Sequence, residues 1–203
     1  MITQNKDTQA EITPARAKEL LVEGNERFLA RSPEERDLLA QVELTKGGQA
    51  PFAVILSCID SRVPAEIVFD QGIGDVFSAR VAGNFVNEDL LGSMEFATKV
   101  AGAKLVVVLG HSGCGAVKGA CDNVELGHLT TMLANIRPAV EAVAEPSDPS
   151  RRNSCNADFV QAVVDKNVDL AVQTIRDRSE ILRDQEQAGE IAIVGAVYDV
   201  ATG

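Results

Sequence analysis

The chain has 203 residues, 45% of them hydrophobic and 24% charged, which suits one globular domain with a full core. Its formal net charge of −11 argues against nucleic-acid binding, because phosphate contacts need a basic face. No apolar run approaches the length needed to cross a membrane, and the polar, acidic start "MITQNKDTQAEITP" lacks the layout of a secretory leader. A cytoplasmic, soluble protein is therefore expected; an exported one shorn of its leader is the alternative.

Residues 1–12 read as disordered. Thr13-Pro14 predicts a helix start, with Thr as N-cap and Pro at the first helical position. Ala17, Leu20, Leu21, Gly24 and Phe28 then share one helical stripe. Ser32-Pro33-Glu34-Glu35 predicts a second start through a capping box, continued by Leu38, Leu39 and Val42. Residues 13–46 are thus expected to form a helical arm ahead of the main α/β domain, 47–203.

"FAVILS", 52–57, is a continuous apolar run and predicts a strand buried on both faces. "VFSARVA", 76–82, predicts a second strand, and Asn87-Glu88-Asp89 caps a helix to about Val100. "KLVVVLG", 104–110, predicts a third strand, followed by short helices near 114–121 and 128–144. "EPSDPSRRNSCNAD", 145–158, reads as a surface loop. Phe159, Val163, Asn167, Leu170, Ala171 and Ile175 give a long helical stripe, and "EIAIVGAVYDV", 190–200, a last strand. Buried strands alternating with helices predict an α/β fold around a central, mainly parallel sheet, whose ligands bind beyond the carboxyl ends of the strands.

Cys58 stands at that end of the first strand; His111 and Cys114 stand just past that end of the third. Two soft thiolates and an imidazole favour Zn²⁺ over hard cations, and three protein ligands leave the open position of a catalytic zinc. A small buried Cys58 and a helix-capping His111 are the competing reading. Asp60 and Arg62 tilt that balance. Two thiolates cancel the formal charge of Zn²⁺, so such a site needs help in aiming a zinc-bound hydroxide. A carboxylate near the open position supplies it if an arginine keeps it ionised. The competing reading of this pair is a surface salt bridge.

Cys-x-Asp-x-Arg, followed by His-x-x-Cys after "VVVLG", resembles the β-class carbonic anhydrases. The resemblance runs from about residue 14 to the end, through "CIDSRVP", "ARVAGN", "GSMEFA", "LVVVLGHSGCGAV" and "GAVYDVATG". It implies one Zn²⁺ per chain on Cys58, His111 and Cys114. It implies a catalytic dyad of Asp60 and Arg62, with Asp60 able to swing onto the metal. The implied reaction is reversible hydration of carbon dioxide to bicarbonate and a proton by zinc-bound hydroxide. Gln49, Phe77, Ala82, Phe96 and Gly115 match positions of the substrate pocket in plant-type members. The bicarbonate-regulated members build an inhibitory pocket with a tryptophan, and this chain has none.

Two departures concern the pocket: Phe96 stands where a tyrosine is frequent, and Val81 where many members have asparagine. The chain also stops at "VATG", where relatives continue into another short strand, so that sheet edge is expected to be incomplete or the sequence trimmed. The resemblance further implies a homodimer or tetramer, with the N-terminal helices wrapped on a partner. Two other functions stay open on the sequence: a carbon disulfide or carbonyl sulfide hydrolase on the same site, and a non-catalytic, zinc-stabilised CO₂-sensing module. Cys121 reads as packing, Cys155 as an exposed loop residue, and His128 as a helix-start residue rather than a proton shuttle.

Overall fold

The computed structural model describes residues 3–203. Four strands make one parallel sheet in the order β2-β1-β3-β4. They are β1 (Ala53–Ser57), β2 (Val76–Arg80), β3 (Leu105–His111) and β4 (Ala192–Tyr198). The two central strands are the two fully apolar runs, and every residue in them is buried. A strand covered on both faces has no polar face to show, which is why these two lack alternation.

The side chains of the central strands still alternate between two helical layers. Val54, Leu56, Val106 and Val108 pack against the long helix α9 (Ala157–Arg178) through Val168, Ala171, Val172 and Ile175. Ala53, Ile55, Leu105, Val107 and Leu109 pack against Ala17, Leu20 and Leu21 of α2 (Pro14–Leu29). The apolar stripe of α2 therefore covers the chain's own sheet. At Gly24 the helix lies so close to the 65–69 turn that a Cβ would stand 1.8 Å from the Phe69 carbonyl oxygen.

Short α4 (Ala65–Val68) links β1 to β2. Helix α5 (Glu88–Glu95), capped by Asn87, runs on through a π turn over Phe96–Val100 toward β3. Between β3 and β4 lie α6 (Gly115–Cys121), α7 (Gly127–Ala134), α8 (Arg137–Ala142), α9 and α10 (Glu180–Gln187). A third apolar cluster joins α6, α7 and α8 to the start of α9, and it contains both Cys58 and Cys114.

The N-terminal region departs from expectation in two places. Residues 6–11, expected to be disordered, form α1 (Lys6–Glu11) behind an Asn5–Thr8 capping box. Gln9 anchors it by donating from Nε2 to the carbonyls of Pro51 (2.7 Å) and Ala101 (2.9 Å). Residues 1 and 2 lie outside the described residues. The second helix of the predicted arm starts later than Ser32: α3 spans Leu38–Thr45 and is capped by Asp37. Asp70 is the cause. Its carboxylate accepts the Glu34 N–H at 3.2 Å and a bond from Arg36 Nη1 at 2.5 Å, and these hold residues 34–36 out of helical geometry. Along α3, Leu39, Val42 and Leu44 are exposed.

Candidate metal centre

The register of the sheet sets the site. Ser57 pairs with Leu109, so β1 and β3 end side by side and deliver Cys58 and His111 to one edge. The chain then turns through Gly113 at φ +64° and presents Cys114 as the residue before α6. The ligand atoms of Cys58, His111 and Cys114 lie within 4.8 Å of one another, and all three residues are buried. The two sulfurs are 3.9 Å apart. Two thiolates bound tetrahedrally at the usual Zn–S length stand about 3.8 Å apart, so the spacing fits one such ion.

The imidazole of His111 is fully buried. Its Nδ1 lies 3.0 Å from the Ser112 carbonyl oxygen, which only accepts, so Nδ1 carries the proton. Nε2 therefore holds the lone pair, and no partner reaches it among the described residues. An orphaned buried acceptor facing two sulfurs is the mark of a metal ligand.

The thiols behave as a coupled pair. Cys58 is drawn well below the ordinary thiol range, chiefly by the Cys114 thiol and against the cost of burial, with help from the backbone N–H groups of Gly83 and Asp60. The Gly83 N–H stands 3.3 Å from Cys58 Sγ. The Cys114 thiol is pushed far above its ordinary range, because a thiolate there would face the Cys58 thiolate in a buried place. A divalent cation removes that conflict and lets both sulfurs ionise.

Asp60 lies at the rim. Its Oδ2 is 3.8 Å from His111 Nε2. Arg62 forks onto it, with Nε to Oδ1 at 3.0 Å and Nη2 to Oδ2 at 2.7 Å, and the Arg62 backbone N–H adds a bond to Oδ1 at 2.9 Å. These bonds hold the Asp60 carboxyl well below the usual carboxylate range. Arg80 clamps the same turn from β2: its Nε donates to the Cys58 carbonyl at 2.8 Å and its Nη2 to the Asp60 carbonyl at 2.7 Å.

A cavity of about 340 Å³ opens at the site, lined by Cys58, Asp60, Ala82 and Gly115, and walled by Gly119 and by Leu129, Met132 and Leu133 of α7. Two of the five expected pocket residues, Ala82 and Gly115, are thus at the metal set. Phe77 and Phe96 instead pair edge to face, 6.2 Å between ring centres, beside a separate hollow along β2 and α5. Gln49 is exposed and precedes β1, at the opposite end of the strand from Cys58. A larger cavity, about 860 Å³, lies around Asp70 and Ile67 and holds none of the metal set. Volume alone would have misplaced the chemistry.

Sequence reasoning passed over Arg80, the Gly83 N–H and the apolar wall of α7. The first two act through backbone groups, which no side-chain pattern displays. The glycine in "ARVAGN" was the one available signal, and its φ of +79° shows why a glycine stands there. His128 lies exposed in the first turn of α7. Cys121 is buried and its thiol is pushed up to about 11 by that burial, which leaves it inert, while Cys155 is exposed.

Soft ligands gathered at the carboxyl ends of neighbouring strands, with a forked carboxylate at their edge, define a candidate metal centre of the α/β enzyme class. The family model described as carbonic anhydrase matches residues 53–203. "Carbonic anhydrase 2" of Mycobacterium tuberculosis is 39% identical over 193 residues, 94% of this chain and 90% of that protein. The carbonic anhydrase of Mycolicibacterium smegmatis is 36% identical over 192 residues, 94% and 91% of the two chains. Among solved structures, the β-carbonic anhydrase CcaA aligns with a TM-score of 0.71 over 91% of both chains at 23% identity, a likeness of fold. The Coccomyxa β-carbonic anhydrase aligns at 0.70 over 90% of this chain and 82% of that one, also at 23% identity. The chain belongs to the carbonic anhydrase family, in its β class. Among the described residues no helix is long and apolar enough to cross a membrane.

Proposed function

We propose that this chain catalyses the reversible hydration of carbon dioxide with one Zn²⁺ held by Cys58, His111 and Cys114. The observation that carries the reading is the geometry at Asp60: a carboxylate forked to Arg62 with one oxygen 3.8 Å from the orphaned Nε2 of His111. When bound, zinc supplies the Lewis acidity that makes a water nucleophilic near neutral pH. Asp60, kept ionised by Arg62, accepts a hydrogen bond from the attacking water and turns its lone pair toward the carbon. Arg80 fixes the turn that carries both Cys58 and Asp60. Ala82, Leu129 and Met132 offer an uncharged substrate a largely apolar berth.

We further propose at least a dimer. The β-carbonic anhydrases of Sordaria macrospora, a fold likeness at TM-score 0.65 and 23% identity, are described as tetrameric. In this chain β2 is an edge strand, Phe96 is 51% exposed beside it, and α3 leaves Leu39 81% exposed. A second copy joined at β2 is the way Gln49, Phe77 and Phe96 would reach a substrate pocket. The four cysteines are free, which suits a reducing compartment and supports a cytoplasmic location.

The decisive experiment measures CO₂ hydration and metal content on one sample, before and after chelation. About one zinc per chain and activity that falls and returns with it are the expected result. Undiminished hydration by the metal-free protein defeats the proposal.

A further inference from the structure

One buried polar residue in the longest helix has no part in the reaction described above. Asn167 is 4% exposed and shares its face of α9 with Val163, Val164, Val168 and Ala171. An amide placed among valines is costly unless it is bonded. Its Nδ2 donates to the Gly83 carbonyl oxygen at 2.8 Å, across 84 residues of sequence. Gly83 is also the residue whose N–H points at Cys58 Sγ, at 3.3 Å.

Gly83 is poorly able to hold that aim unaided. Its φ is +79°, and a Cβ there would stand 2.3 Å from Ile136 Cδ1, so only glycine fits. Glycine is also the residue whose backbone wanders most freely. Three things pin it: the turn closed around it by the Asn84 N–H on the Val81 carbonyl at 3.0 Å, the wall of Ile136 beside its Cα, and Asn167, the one side chain that grips its carbonyl. Upstream, the Val81 N–H bonds to the Ser57 carbonyl at 3.1 Å and continues the sheet to within two residues of Gly83. Beyond that point the loop leaves the ladder, and Asn167 takes over its support.

We infer that Asn167 is a positioning residue for the metal centre, holding Gly83 so that its N–H stabilises the ionised sulfur of Cys58. The inference rests on Cys58 being a zinc ligand. A hydrogen bond to a coordinated thiolate draws charge from the sulfur and fixes the direction of its lone pairs, so it tunes both the hold on the metal and the electronic character of the bond. Asn167 touches neither substrate nor metal; it acts through Gly83.

The test compares purified full-length wild type with Asn167→Leu, which keeps the branched outline at a somewhat larger volume and removes the donor. Zinc loss to a competing chelator is timed, and the thiolate-to-metal absorption of the cobalt(II)-loaded proteins is recorded. Ile175→Val, a core change two turns along the same helix, serves as the control for lost packing alone. The expected result is zinc loss faster by roughly tenfold in Asn167→Leu, with a displaced cobalt–thiolate band, and wild-type behaviour in Ile175→Val. If Asn167→Leu does not fold, Asn167→Ala, whose side chain has no hydrogen to donate, takes its place and should move the same band. A folded variant with the wild-type band and wild-type zinc retention overturns the inference while leaving the metal centre intact. A wild-type protein that holds neither metal overturns the metal centre and the inference together.

Discussion

Two buried polar clusters sit in this chain, and they are built on opposite plans. Around Asp70 every carboxylate oxygen is answered: Arg27 Nε at 2.5 Å, Arg36 Nη1 at 2.5 Å and the Glu34 N–H at 3.2 Å. Burial alone would lift the Asp70 pKa, but Arg36 and Arg27 outweigh it and leave the group below the ordinary carboxylate range. Around Cys58 the account is left open. His111 Nε2 has no hydrogen-bond partner among the described residues, and the two sulfurs beside it stand 3.9 Å apart. A carboxylate answered from within the chain holds a fold, even with Arg36 Nε beside it left without a partner among the described residues; an imidazole lone pair facing two thiols is the set that suits a soft cation.

The sharpest way to break the contrast is Cys114→Ser. Loss of a soft ligand should abolish zinc retention and lower CO₂ hydration by more than the roughly 10–100-fold typical of an outer-shell change, read by metal analysis and stopped-flow assay. Circular dichroism should remain that of the folded protein. Asp70→Ala is the mirror experiment. It takes from Arg36, whose side chain is 8% exposed, its closest carboxylate and leaves it the Glu34 and residue-70 carbonyls, and should cost about 2–3 kcal/mol in urea unfolding. Its zinc content and the turnover of the folded fraction should be unchanged.

Asp60→Asn should come next in size. It keeps the shape of the side chain but weakens the Arg62 fork, and should lower hydration by roughly 10–100-fold with zinc content intact. A change of less than about twofold would reduce the Asp60–Arg62 pair to a surface salt bridge.

The smallest effect is a pH dependence, and its sign is fixed. A carboxyl whose folded pKa is lowered contributes stability at pH values above its unfolded pKa, and loses it as pH falls through the folded value. The stability gap between wild type and Asp70→Ala should therefore be full at pH 7 and shrink below about pH 4. Urea midpoints of both proteins at pH 7 and pH 3 measure it. A gap that widens in acid would mean that Asp70 does not carry its charge in the fold.

The same contrast explains which features the sequence displayed. The central strands announced themselves as unbroken apolar runs, and the metal set as three soft ligands at strand ends. Chemistry carried by side-chain type is legible in one dimension. What stayed hidden is carried by backbone groups of distant residues. Helix α1 looks too polar to order, and is held by carbonyls of Pro51 and Ala101. The capping box at Ser32 is locally sound, and loses to the pull of Asp70 from another loop. Arg80 and Asn167 resemble an edge charge and a helix residue until the carbonyls they grip are known. Of the pocket residues implied by the family resemblance, Ala82 and Gly115 line the cavity that also holds Cys58 and Asp60. Gln49, Phe77 and Phe96 lie away from that cavity, Phe77 and Phe96 at a separate hollow and Gln49 before β1.

The pairing of Ser57 with Leu109 has a consequence for the order of events in the life of the molecule. Cys58 and His111 belong to different strands, and nothing but the alignment of those strands brings them together. A newly made chain thus lacks the full three-ligand set until its first and third strands have found each other. The layers that guide that encounter, Leu20 and Leu21 on one side and Val168 and Ile175 on the other, contain no ligand. Under the proposed zinc reading the ion would be received by a finished frame, in contrast to small zinc domains that fold around their ion. Taking the metal away should then silence the protein without dismantling it, and supplying it again should restore function at the speed of binding rather than the speed of folding.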